Sequence, residues 1–149
     1  MRLEEEIKQS KFRNEYHKLA VNLIYSYNWF MKLHSGLLAK YNITINQFNI
    51  LRILRGQLPN PASVNLLRER MLDKMCDASR LVERLRVKGL IQRETSADDR
   101  RRVDVTITEA GLKLLNDLDL ENEKTDAILK NLSNSDADKL NDLLDKLRG

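Results

Sequence analysis

The chain has 149 residues, with 26 Lys and Arg against 22 Asp and Glu, a net charge of +4, two prolines, five glycines and one cysteine. That length supports one domain with its own core, the shortage of helix breakers favours a mostly helical protein, and few aromatics exclude a large stacking surface for single strands. Cys76 has no second cysteine to pair with, His17 and His34 form no zinc-ligand cluster, no apolar run reaches the ~18 residues of a membrane span, and Glu4, Glu5 and Glu6 are unlike a signal peptide, so a cytoplasmic protein without metal or cofactor is expected.

From Lys8 to about Lys40 apolar residues recur at helical spacing, with Phe12, Tyr16, Leu19, Leu23, Tyr27, Phe30, Leu37 and Leu38 in step. Ile24, Trp29 and Met31 widen this stripe beyond one face, which predicts a long helix that meets a second chain or lies under other helices. Thr44 followed by Gln47 makes a capping box, and Ile43 and Phe48 suit a hydrophobic staple. A helix is therefore predicted from Ile45 to about Leu54, ended by Gly56, Pro59 and Pro61.

Ser63 caps a short helix carrying Leu67 and Met71. After a turn near residues 72–75, a second helix runs from about Lys74 to Lys88, with Ala78, Leu81, Val82 and Leu85 on its apolar side. This is the pattern of a helix-turn-helix. At about 100° per residue the opposite side holds Cys76, Arg80, Glu83, Arg84 and Val87, flanked by Asp77 and Ser79. Two arginines one turn apart thus point away from the core.

Glycine in Lys88-Gly89-Leu90 stops that helix. Ile91 to Glu94 reads as a strand, and the return strand alternates Val103, Val105 and Ile107 against Arg102, Asp104 and Thr106. Between them lies Thr95-Ser96-Ala97-Asp98-Asp99-Arg100-Arg101, a polar loop and wing candidate. Thr108 caps a helix from Glu109 to about Asn131, whose stripe of Leu112, Leu115, Leu118, Ile128 and Leu129 is weakest over 121–126. Ser133 with Asp136 restarts a helix carrying Leu140, Leu143, Leu144 and Leu147.

Charge is unevenly placed along these elements. Residues 1–49 hold seven basic against four acidic residues, 50–102 hold thirteen against seven, and 103–149 hold six against eleven, giving +3, +6 and −5. The middle segment is where a polyanion would be held, and the acidic C-terminal third would be repelled from phosphate.

The strings Ser79-Arg80-Leu81-Val82-Glu83-Arg84-Leu85, Lys88-Gly89-Leu90-Ile91 and Asp99-Arg100-Arg101-Arg102 through Thr108-Glu109-Ala110-Gly111 resemble the MarR family of winged-helix transcription regulators. The second half looks like the family's wing signature, in which Asp and Arg two apart precede an alternating strand and a Thr with Gly three later. The resemblance implies a mainly α (α+β) fold, one domain over 1–149, with a winged helix-turn-helix at 44–108, a short β-hairpin wing, and dimerisation helices at 8–40 and 109–148. It implies a homodimer on a pseudo-palindromic operator in double-stranded DNA, usually repressing, with the helix from about Lys74 in the major groove and the wing in the adjacent minor groove. Arg101 matches the minor-groove arginine, Asp99 the carboxylate that orients it, and Arg100 and Arg102 phosphate neighbours. Asp77, Ser79, Arg80 and Arg84 are the reading-helix candidates. Two positions depart from the family pattern: Arg68 stands where a small alanine is usual, and Leu72 where the turn usually has glycine.

Relatives often bind small phenolic or aromatic compounds between the dimer helices and the winged domain, which makes Tyr25, Trp29, Phe30 and His34 candidates for an effector site; core and interface packing is the plainer use of the same residues. Cys76 near a helix N-terminus suits either a redox-active thiolate or an ordinary small residue. Arg80 and Arg84 suit either DNA contact or a solvated face, with Glu83 and Glu69 available as partners. A winged-helix module that binds another protein through its arginines is the competing function, separable by salt dependence. An enzyme is the least supported class, because no Ser/His/Asp set, phosphate-cradling loop or metal-ligand spacing is visible.

Overall fold

The computed structural model describes residues 1–96 and 103–149. In chain order the elements are α1 (Leu3–Glu6), α2 (Glu15–Ala39), α3 (Ile45–Gln57), β1 (Ala62–Ser63), α4 (Val64–Arg70), α5 (Ala78–Val87), β2 (Ile91–Thr95), β3 (Val103–Ile107), α6 (Glu109–Asp119), α7 (Asn122–Leu129) and α8 (Asn134–Arg148). The fold is a mainly helical winged helix with a small antiparallel sheet.

The long N-terminal helix starts at Glu15 and not at Lys8, because Asn14 caps it by accepting the His17 N–H at 2.9 Å. Lys8, at φ 52°, is in the left-handed region and cannot continue a right-handed helix. The residues ahead of it form the single turn α1. That turn is clipped to α2 by the Tyr25 hydroxyl, which donates to Glu6 Oε2 at 2.8 Å, and by the Glu4–Lys18 ion pair.

The expected capping box opens α3: Thr44 Oγ1 accepts the Gln47 N–H at 3.2 Å and Gln47 Oε1 accepts the Thr44 N–H at 3.1 Å. The helix runs on through Gly56 to Gln57, since an exposed glycine weakens a helix without ending it. Ala62 and Ser63 then pair with Val105 and Asp104, a strand with no sequence signal because two residues show no alternation. The sheet order is β1-β3-β2, and β2 pairs with β3 from Ile91 opposite Ile107 to Thr95 opposite Val103, so Thr95 is strand rather than loop.

The predicted helix over 109–131 is two helices, broken between Asp119 and Asn122, at the edge of the 121–126 stretch where the apolar stripe is weakest; most of that stretch is itself helical in α7. The core draws on every element from the end of α2 to α6: Leu38, Ile50, Leu51, Leu67, Leu85, Val105 and Leu115 are each 1% exposed or less. In contrast α2 buries only Leu38, and α7 and α8 bury nothing. No helix among the described residues is long and apolar enough to cross a membrane.

Candidate nucleic-acid interface

Helix α5 begins at Ala78, later than the spacing predicts, because the Asp77 carboxylate accepts the Arg80 N–H at 3.0 Å and caps it. Asp77 therefore has a structural task at the position proposed for DNA contact. Ala78, Val82 and Leu85 are buried against the core, which turns Ser79, Arg80, Arg84 and Val87 outward, all four exposed. At its other end Gly89, at φ 72°, lets the Leu90 N–H reach Leu85 O at 3.1 Å and its own N–H reach Arg86 O at 2.8 Å. These two bonds are the Schellman stop that only a left-handed residue allows. Lys88 Nζ then donates to Asn42 O and, at 3.1 Å, to Gln47 Oε1, pinning the end of α5 to the corner between α2 and α3.

Of the two acidic partners suggested for the outward arginines, Glu83 is engaged elsewhere, and no ion pair among the described residues holds Glu69. Glu83 meets Arg86 with Nη2 to Oε1 at 2.7 Å and lies 3.8 Å from Arg93 of β2. The hydrogen bond from Arg86 is the main reason the Glu83 carboxyl titrates below its usual range. Among the described residues no ion pair holds Arg80 or Arg84. Sequence spacing could have found Glu83–Arg86, three apart on one helix; nothing local announces Arg93.

Arg68 and Leu72, the two departures from the family pattern, are both exposed. Leu72 is not among the positive-φ residues, so glycine is unnecessary there, and its N–H donates to Asn49 Oδ1 at 2.9 Å. Cys76 lies in the turn, not on the helix. Its Sγ donates to Asp73 O at 3.0 Å, and burial, followed by the charge of Asp73, pushes the thiol pKa up. A raised pKa is the opposite of what a redox-active thiolate needs.

The base of the hairpin is set by Thr108. Its Oγ1 accepts the Gly111 N–H at 3.2 Å and donates to Gly89 O at 2.8 Å, joining the start of α6 to the stop of α5. A Cβ on Gly111 would stand 2.3 Å from Leu90 O and 2.7 Å from Ile107 Cγ1, which explains glycine three residues after the threonine. The strands deliver the chain to Thr95 and receive it at Val103. The wing candidates Asp99, Arg100, Arg101 and Arg102 lie outside the described residues.

The four effector candidates divide between two sites. Phe30 and His34 line a cleft of about 890 Å³ between α2, α3 and the turn before α5, together with Tyr27, Phe48, Arg52 and Lys74. His34 sits between Phe30, tilted with ring centroids 5.6 Å apart, and Phe48, edge-on at 5.9 Å, and burial lowers its pKa. Tyr25 and Trp29 border a separate cleft of about 150 Å³ beside Leu3 and Glu6. Five residues along a helix are about 140° apart, so the pairs 25/29 and 30/34 must face different ways.

Residues 41–102 match the model of the MarR family. No protein of curated function matches in sequence. Among solved structures, the MarR transcription factor from Planctomyces limnophilus is 27% identical over 93% of this chain and 98% of its own, with a TM-score of 0.69. A MarR mutant from E. coli complexed with operator DNA is 24% identical over 93% and 99%, with a TM-score of 0.79. BpsR of Bordetella bronchiseptica, solved to explain regulation of its DNA binding by 6-hydroxynicotinic acid, is 21% identical over 89% and 99%, with a TM-score of 0.74.

Proposed function

Taking as premise a MarR-family segment at residues 41–102 within a winged-helix fold, we propose that the chain is a dimeric, sequence-specific transcription repressor. Residues 44–108 bind DNA, with α5 in the major groove and the wing in the adjacent minor groove, and the terminal helices form the dimer. The observation that carries this reading is the sorting of charge on α5: Arg80 and Arg84 are exposed without an ion-pair partner among the described residues, while the helix's own carboxylate is turned to Arg86 and Arg93. Arginine in that position can fork onto guanine O6 and N7 or onto phosphate.

Dimerisation is supported by apolar surface with no use inside one protomer, including Tyr16 at 82% exposed and Ile24 at 64% on α2. A two-fold dimer places its reading helices roughly 34–36 Å apart, one turn of DNA, and so requires a pseudo-palindromic site. Following the family pattern, Arg101 enters the minor groove, oriented by Asp99, and Arg100 and Arg102 meet phosphates. The relative regulated by 6-hydroxynicotinic acid supports a small aromatic effector in the cleft at Phe30 and His34, where a flat ring can stack on aromatic walls. Tyr25 and Trp29 have no part in that site.

The test is a titration of the operator, found by footprinting the DNA beside the protein's own gene, at fixed salt. Arg80→Ala and Arg101→Ala are each expected to weaken binding by about 1–3 kcal/mol. Wild-type affinity in both folded variants would remove the groove assignments. Binding to duplex without steep salt dependence or sequence preference would favour the protein-interaction alternative.

A further inference from the structure

Between α5 and β2 lies a notch of about 460 Å³ bordered by Glu83, Arg86, Arg93 and Glu94. In it both Glu83 oxygens receive Arg86, from Nε at 3.2 and 3.0 Å and from Nη2 at 2.7 Å, and Arg93 Nη1 stands 3.8 Å away. Arg86 projects from the flank of α5, about 160° around the helix from Arg84. Glu83 sits between them, on the same exposed arc as Arg80 and Arg84, yet its carboxylate bends toward the sheet. One acid thus divides four arginines into two that it holds and two that no ion pair among the described residues holds.

If α5 occupies one groove and the hairpin the next, the sugar-phosphate strand that separates those grooves crosses this notch. A guanidinium with its in-plane donors on a carboxylate is compensated in charge and presents little attraction to a phosphate. Building on the DNA-binding reading above, we infer that Glu83 is a positioning residue that withholds Arg86 and Arg93 from the DNA backbone and so limits the sequence-independent part of duplex binding. Affinity is then left to depend more on the exposed Arg80 and Arg84 of α5.

The experiment is a salt series with a random-sequence duplex as probe, comparing the wild-type protein with Glu83→Gln, which keeps shape and removes charge. The variant is expected to bind about threefold tighter for each guanidinium released, with a log–log salt slope steeper by about 0.9 for each new phosphate contact. Adding Arg86→Gln and Arg93→Gln to E83Q should return the slope to the wild-type value. In the wild-type background Arg86→Gln alone should leave the slope unchanged, which also guards against E83Q failing to fold. A wild-type slope in folded E83Q, or a shallower slope in Arg86→Gln alone, overturns the inference. A wild-type protein that ignores duplex at low salt would defeat the DNA-binding reading itself.

Discussion

Gly111 shows how a single position can be fixed by its neighbours. Its N–H feeds the Thr108 cap while its missing side chain lets α6 approach the backbone carbonyl of Leu90 and the side chain of Ile107 at the hairpin base. Because the nearest atom is a backbone carbonyl, no rotamer change can relieve a clash there. Gly111→Ala is therefore expected to destabilise the protein by at least about 1–3 kcal/mol in urea unfolding, despite alanine's better helix propensity. A midpoint unchanged from wild type would show that α6 can shift at little cost. Arg80 and Arg84 lie at the other extreme, since no ion pair among the described residues holds their side chains, and their replacement should register in binding and not in stability.

Helix ends in this chain follow local chemistry: Asn14, Thr44, Ser63, Asp77, Thr108 and Ser133 each accept a backbone N–H three residues on. Contacts between helices add what caps cannot. Arg55 of α3 grips Asp119 of α6 with two hydrogen bonds, at 2.6 and 3.3 Å, which is the chief reason that carboxyl titrates low. His34 of α2 meets Phe48 of α3 edge-on, and burial disfavours its protonated form. Its folded pKa lies below the ordinary 6.5, so the unfolded chain binds the proton first as pH falls. Stability from this site is complete above the unfolded value and declines as pH drops through it. Thermal midpoints should consequently fall between neutral and mildly acid pH, and His34→Phe should flatten that decline. An equal decline in the variant would assign the effect to other groups.

At the scale of the molecule the division of labour is plain: one core runs from Leu38 to Leu118, and the apolar stripe of α8 is left outside it. Leu143 is 55% exposed and Leu147 54% exposed, so each leaves more than half its surface uncovered in the protomer. If the proposed dimer forms through α8, Leu143→Glu with Leu147→Glu should leave the circular dichroism spectrum intact and shift sedimentation from dimer to monomer. A variant that still sediments as a dimer would place the interface elsewhere, with the exposed Tyr16 and Ile24 of α2 next to be tested. The acidic balance of residues 103–149 fits this arrangement, because charge that repels phosphate is kept on the elements outside the winged unit.

Residue order alone determined the reading helix and its apolar side, the capping boxes at Thr44 and Ser133, the glycine stop at Gly89 and the alternation of β3, because each is a pattern closed within a few positions of the chain. It overran the start of α2, since a helical period continues through Phe12 while the cap that resets it depends on how Asn14 folds back. Only the tertiary structure decided that Arg93 of β2 joins the Glu83–Arg86 pair, that no ion pair among the described residues holds Arg80 or Arg84, and that Ala62 and Ser63 complete the sheet. Those outcomes rest on which distant segments the hydrophobic core draws together, and periodicity in one segment carries no information about its neighbour in space.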